Sequence, residues 1–152
     1  MVDIPRKQDA ISLLSADHEK LMGYFMEIAQ LPREAGARRR RSELVAKIVG
    51  LLKSHLDTEN TIFYPAASVG LGEDSVVIES SFEQDDEQYV IEQLEALSLT
   101  DPEYDAKVVS LSEQLREHVL QEETEIFPRL MAANIDMEAL GVKIRRRQRG
   151  LA

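Results

Sequence analysis

Apolar residues recur at alternating steps of three and four along four long segments of this 152-residue chain, the pattern of amphipathic helices packed along a shared seam. The first segment, roughly residues 8–30, carries Ile11, Leu14, His18, Leu21, Phe25 and Ile28 on one stripe. It stops before "LPREAGA", where Pro32 and Gly36 mark a turn. The second, roughly 37–66, carries Val45, Ile48, Leu52, His55, Glu59 and Ile62. The third, roughly 74–98, follows "SVGLGEDS", where Asp74 or Ser75 is placed to cap a helix start. The fourth, roughly 102–131, has Pro102 at a first-turn position and the stripe Val108, Leu111, Leu115, His118 and Glu122. Short connections between long helices favour up-down-up-down order. The expected fold is therefore an all-α, up-down-up-down four-helix bundle over residues 1–135. A short basic helix or tail is expected to follow over 136–152.

Composition narrows the functional classes. With 43% hydrophobic and 30% charged residues the chain is ordinary for a soluble domain. There are no cysteines, which excludes disulfides, zinc–thiolate sites, iron–sulfur clusters and cysteine nucleophiles. No apolar run approaches the roughly 18 residues that a membrane span requires. The first residues, "MVDIPRKQDA", lack the apolar core of a secretory signal, so a cytoplasmic location is expected. The net charge of −10 is unevenly placed. "GVKIRRRQRGLA" at the end holds five basic residues and no acid, leaving 13 basic against 28 acidic residues, net −15, in residues 1–140. An acidic body repels nucleic-acid phosphate. The basic tail offers a contact to an acidic partner, or else lies solvated or folds back on its own acidic body.

The chemistry lies on the stripe. "HLDTENTIFYP" from His55 returns as "HVLQEETEIFP" from His118, each with Glu at plus four (Glu59, Glu122), Thr at plus six (Thr61, Thr124) and Pro at plus ten (Pro65, Pro128). Four residues make about one helical turn, so each Glu stands over its His and faces inward with it. All three histidines of the chain, His18, His55 and His118, share the apolar face. A carboxylate buried without a partner costs several kcal/mol, and no Lys or Arg lies on the central stripes. The remaining candidate for the positive charge is a bound cation. A mixed imidazole–carboxylate set suits iron, manganese or zinc, and the lack of thiolates argues against copper(I). A single imidazole on an apolar face is usually a hydrogen-bonded core residue; two matching phrases in phase with the core, joined by a third in-phase His, outweigh that reading. The two prolines are expected to end or bend their helices just past the site. On the third helix, setting Ile78, Phe82 and Tyr89 inward places Asp86 within the apolar arc, about 80° from Ile78, with Asp85 at its edge and Gln84 largely outside. Asp86 is therefore the expected helix-3 ligand, ahead of Asp85. Tyr89 is placed to hydrogen-bond a ligand or shield the site, or to serve as an ordinary half-buried aromatic.

These phrases, with "ADHEKL" around His18, make residues of roughly 8–132 resemble the hemerythrin-like family, also called the HHE cation-binding domain. The resemblance implies an up-down bundle around a non-haem diiron centre: two iron ions, oxo- or hydroxo-bridged, with manganese or zinc as alternatives. It implies terminal ligands His18, His55 and His118 and bridging carboxylates Glu59 and Glu122. Members usually place a His on helix 3, where this chain has "FEQDDEQY". A carboxylate there makes the site harder, favours Fe(III) and disfavours reversible oxygen binding. The functions implied are sensing or storage of iron, oxygen or redox-stress species, with a diiron enzyme acting on peroxide, dioxygen or nitric oxide as the alternative. A bundle that has lost its metal and serves as an interaction scaffold is the third.

Overall fold

A computed structural model describes residues 8–151. Helix α1 (Ala10–Gln30) starts where the Asp9 side chain accepts a 2.8 Å hydrogen bond from the Ser12 backbone N–H, supplying a partner to one of the orphan donors of the first turn. After a single 3₁₀ turn at Ala35–Ala37 come α2 (Arg38–Thr58), a wide π turn (Glu59–Phe63) and α3 (Tyr64–Leu71). Gly72, at φ 69°, closes α3 in the left-handed conformation that glycine takes without steric penalty. Helix α4 spans Ser75–Ala96; Asp74 precedes it without capping it, because its carboxylate is held by the Ser68 hydroxyl instead. Then follow α5 (Tyr104–Gln121), a second π turn (Glu122–Ile126), α6 (Phe127–Ala132) and α7 (Met137–Leu151). The architecture is an all-α bundle in which α1 packs on α2 and α4 on α5, with α1 also meeting α5. Among the described residues no helix is long and apolar enough to cross a membrane.

Neither proline ends its helix. Pro65 and Pro128 have no N–H, and a proline ring crowds the carbonyl four residues back. The backbone relieves this one turn earlier by admitting an extra residue. The Tyr64 N–H therefore bonds Glu59 O, and the Phe127 N–H bonds Glu122 O, each five residues back. The Thr61 hydroxyl donates back to Asp57 O (2.8 Å) and the Thr124 hydroxyl to Leu120 O (2.6 Å). Helix then resumes as α3 and α6.

The interior is two apolar clusters with a polar layer between them. One cluster gathers Leu21, Phe25, Ile48, Leu52, Ile91, Leu111 and Leu115; the other gathers Leu14, Phe63, Tyr64, Phe127, Leu130 and Ile144. Between them lie the buried polar residues His18, His55, Glu59, Gln84, Glu87, His118 and Glu122. Each fully buried Leu or Ile contributes roughly 1.5–3 kcal/mol, so the flanking clusters hold the helices together around a layer that on its own would push them apart.

The basic C-terminal segment folds back on the body. Helix α7 packs against α1 and α2, burying Leu140 and Ile144 and forking the Arg147 guanidinium onto Asp57 at 2.9 and 3.0 Å. Gly141 permits the close approach, since a Cβ there would run into the backbone carbonyl of Gln8. Ile144 is fully buried, whereas the Arg147 side chain is 44% exposed. We expect Ile144→Ala to destabilise the protein by about 2–5 kcal/mol and Arg147→Ala by less than about 1 kcal/mol in urea titrations. Equal effects would mean that charge, and not packing, seats α7.

Candidate metal centre

Three helices bring one imidazole each to a single point. His18 comes from α1, His55 from α2 and His118 from α5, and they are 2%, 0% and 4% exposed. Ring centroids lie 4.9 Å (His18–His55), 5.7 Å (His55–His118) and 5.8 Å (His18–His118) apart. Glu59 and Glu122 open the two π turns and enter the same space. Glu59 Oε1 is 2.7 Å from His55 Nε2 and 3.1 Å from His118 Nε2. Glu122 Oε1 contacts His118 Nε2 and lies 3.3 Å from His18 Nε2 and 3.9 Å from His55 Nε2. One donor atom from each of His18, His55, His118 and Glu122 lies within 4.8 Å of all the others.

The outer nitrogen of each ring faces a carboxylate. Asp17 Oδ2 meets His55 Nδ1 at 3.0 Å, and Glu123 Oε1 meets His18 Nδ1 at 2.8 Å. Glu87 Oε1 lies 3.1 Å from His118 Nδ1, close but without hydrogen-bond alignment. A carboxylate on Nδ1 fixes the tautomer with Nε2 bare and turned inward, and raises the basicity of that nitrogen as a ligand.

The π turns complete the arrangement. Five residues of an α-helix turn the chain about 140° past the starting face, which would point Tyr64 away from Glu59 and Phe127 away from Glu122. A turn that closes after five residues brings both rings back over the site. The Tyr64 hydroxyl donates to Glu122 Oε2 at 3.0 Å, and Phe127 stacks on the His18 ring at 5.9 Å and 6° between planes. Burial, followed by the Glu59 and Glu122 charges, raises the Tyr64 phenol, so it stays a proton donor.

Helix α4 requires a correction. Asp86 and Asp85 are exposed, and so are the apolar residues that set the expected phase, Ile78 (58%), Phe82 (70%) and Tyr89 (61%). The inward positions are Val76, Ser80, Gln84, Glu87, Val90, Ile91 and Leu94. This face mixes polar with apolar side chains because it borders the polar layer, so hydrophobicity gives the wrong phase. Tyr89 neither bonds nor shields the cluster; Tyr64 does. The apolar stripes do not mark Asp17, Glu123 or Glu87, because each lies beside a stripe or on this mis-phased helix. A carboxylate immediately before His18 and another immediately after Glu122 were the available signals.

Electrostatics set the protonation of the cluster. Burial by itself lowers His55 and His118. It is outweighed by Glu59, with Asp17 and Glu122 adding at His55 and Glu122 adding at His118, so both rings are raised well above their ordinary value. Burial would raise Glu122, but His118, with His18 and His55, holds it well below the usual carboxylate range. Without metal, then, protons do the neutralising, and they do it incompletely. His18 Nε2, His55 Nε2, Glu59 Oε2 and Glu122 Oε1 are buried with no hydrogen-bond partner. Ring nitrogens and carboxylate oxygens that converge without hydrogen-bond geometry are oriented as ligands around a cation. No Lys or Arg forms an ion pair with Glu59 or Glu122 among the described residues.

A family model, the Hemerythrin HHE cation binding domain, matches residues 9–130. Among curated proteins, one named DNA nickase from Nostoc sp. is 29% identical over 120 residues, which is 79% of this chain. The chain spans only 32% of that relative's length. Among solved structures, a hemerythrin HHE cation binding domain-containing protein from Mycobacterium kansasii aligns with a TM-score of 0.77 over 93% of this chain and 86% of its own. At 21% identity this is a likeness of fold. The matched residues run from the cap of α1 into α6 and include all three histidines and both inward glutamates, and this chain belongs to the hemerythrin HHE cation binding domain family.

Proposed function

We infer that this protein binds two iron ions at the cluster of His18, His55, Glu59, His118 and Glu122, and stores or senses iron, oxygen or oxygen-derived species. The observation that carries this reading is the set of buried, partnerless Nε2 and carboxylate atoms meeting within a few ångströms. His18, His55 and His118 would each hold a metal through Nε2. Glu59 Oε1 lies near two imidazoles and Glu122 Oε1 near three, which suits both carboxylates to sharing between two ions. Asp86, exposed on α4, has no place in this set. Iron bound there would supply redox chemistry and affinity for small oxygen or nitrogen ligands. The chain's own contribution is a buried site, rings of His55 and His18 held at Nδ1 by Asp17 and Glu123, and a Tyr64 hydroxyl that donates to Glu122.

A diiron enzyme acting on peroxide, dioxygen or nitric oxide is the second reading. What supports it is a depression of about 370 Å³ between α1 and α5, lined by Ser15, His18, Glu19, Met22, Val119 and Glu123, which reaches the His18 ring from solvent. Nucleic acid is not a proposed partner, because residues 1–140 carry net −15.

Protein purified after iron-supplemented expression is expected to hold about two metal equivalents per chain, and Glu59→Ala/Glu122→Ala below about a tenth of one. Metal at full stoichiometry in the double variant would place the site elsewhere. Chelation should lower the melting temperature of the wild type, since bound metal stabilises only the folded chain.

Asp17→Asn and Glu123→Gln each loosen the grip on an Nδ1–H without removing a ligand. Competition with a chromophoric chelator should show metal affinity down by about 10–100-fold in each, with helical content unchanged.

The pH dependence has two parts. In the metal-free protein His55 and His118 are raised, so their contribution to stability is complete below the unfolded value of 6.5 and disappears as pH rises through the folded values. Glu122 is lowered, so its contribution is present above 4.5 and disappears as pH falls through its folded value. Metal-free stability should therefore peak between those limits. Metal must displace the imidazole protons, so its uptake releases protons and strengthens with pH, and the ions leave below about pH 5. Titration calorimetry in buffers of differing ionisation enthalpy measures the proton release. Metal binding that releases none would show that the imidazoles are not the ligands.

A further inference from the structure

Helix α4 is apolar on two opposite sides. Its inward side, with Val76, Val90, Ile91 and Leu94, packs on the core and borders the polar layer. On the far side, roughly half a turn around the helix, Ile78, Phe82 and Tyr89 are each more than half exposed. Solitary apolar side chains at a surface need no explanation. These three are not solitary: steps of four and seven residues set them on one line along the helix. The same register continues through Asp85 and Glu92, seven and fourteen residues after Ile78. Phe82 and Tyr89 thus take one position of a heptad, and Ile78, Asp85 and Glu92 take the other. Those are the two positions that form the seam when a second helix packs alongside.

The charges on this face decide what kind of helix fits. Helix α4 contains seven acidic residues and no Lys or Arg, and no Lys or Arg occurs between Lys53 and Lys107. Glu95, at the end of the helix, is held by Lys53 at 2.8 Å. Among the described residues, Asp85, Asp86 and Glu92 form no ion pair. All three are exposed and lie on or beside the apolar line. A second copy of this chain fits poorly, because it would press its own Asp85 and Glu92 into the same seam, and like charges brought together there repel. An anionic membrane surface is repelled for the same reason. A helix with Lys or Arg opposite Asp85 and Glu92 satisfies the apolar and the charged positions together.

We propose that the outward face of α4 is a docking surface for a basic amphipathic helix of another protein. Its apolar side chains would cover Ile78, Phe82 and Tyr89, and its Lys or Arg side chains would pair with Asp85 and Glu92. Helix packing of this kind is read through apolar anchors at helical spacing, and aromatic side chains such as Tyr89 carry much of the binding energy at interfaces. The face turns away from the imidazole cluster, so docking does not depend on what the inner centre holds.

Fluorescence anisotropy with two labelled synthetic helices tests this on the full chain. One probe places Leu and Lys at alternating three- and four-residue steps along one face; the other has Glu in place of Lys. The wild type is expected to bind the Lys probe, more weakly as salt rises, and not the Glu probe. Phe82→Ser/Tyr89→Ser should weaken the Lys probe at least about tenfold. Asp85→Asn/Glu92→Gln should weaken it and flatten its salt dependence. Met26→Ser, which removes a comparably exposed apolar residue from α1, should leave binding unchanged. Circular dichroism should show the same helical content in every variant, since all the altered side chains are exposed. No binding of the Lys probe overturns the proposal, as does equal binding by the wild type and Phe82→Ser/Tyr89→Ser, or an equal loss in Met26→Ser. Self-association of the wild type in sedimentation velocity that Phe82→Ser/Tyr89→Ser abolishes also overturns it, because the face would then join copies of this chain.

Discussion

Negative charge buried without a basic side chain is the constraint around which the rest of this molecule is arranged. Glu59 and Glu122 are 0% and 2% exposed in the middle of a helical bundle, and the groups facing them are imidazoles, which neutralise them only by holding protons or by sharing a metal. A carboxylate–guanidinium pair would have locked the layer permanently and filled its coordination space. Imidazole leaves the neutralising agent exchangeable. The raised His55 and His118 and the lowered Glu122 describe the protonated alternative to a metal-bound state. The two apolar clusters above and below the layer make that exchange tolerable, because they hold the helices in place whichever cation is present.

Much of this was legible in the chain before any coordinates. Wherever apolar side chains set the phase, as on α1, α2 and α5, the helical stripe placed His18, His55, Glu59, His118 and Glu122 on the inner face, and that is where they lie. The same reasoning failed on α4 for a physical reason. Its inner face borders the polar layer and carries Ser80, Gln84 and Glu87, while Ile78, Phe82 and Tyr89 sit in solvent. Burial there follows the needs of the neighbouring imidazole, and hydropathy does not record them. The carboxylates behind the rings were hidden differently, since Asp17 and Glu123 flank inward residues and reach sideways across a helix interface. Nothing in a single helix's periodicity reveals a partner on the next helix.

The prolines show how a local defect builds the site. Read alone, each proline predicts a helix end or bend. In the fold each forces a wide turn immediately upstream, and that turn begins at the glutamate that faces the cluster. Wide turns of this kind are rare and tend to mark functional positions. Here the reason is geometric: one α-helical register cannot put both a residue and the residue five places later on the same face. Removing the extra residue would turn Tyr64 and Phe127 out of the layer while leaving His55–Glu59 and His118–Glu122 in register.

The repeated phrase nevertheless yields two unequal carboxylates. At the first copy the residue five places after the glutamate is Tyr64, and at the second it is Phe127. The phenol of the first reaches across to the glutamate of the second, occupying Glu122 Oε2 and leaving Oε1 to face the imidazoles. Phe127 has no hydroxyl to return the contact, so Glu59 Oε2 stays without a partner. Glu122 is thus restrained to offer one oxygen, and Glu59 retains two. A single oxygen atom on one side of a pseudo-symmetric pair is enough to make two sequence-equivalent carboxylates chemically distinct.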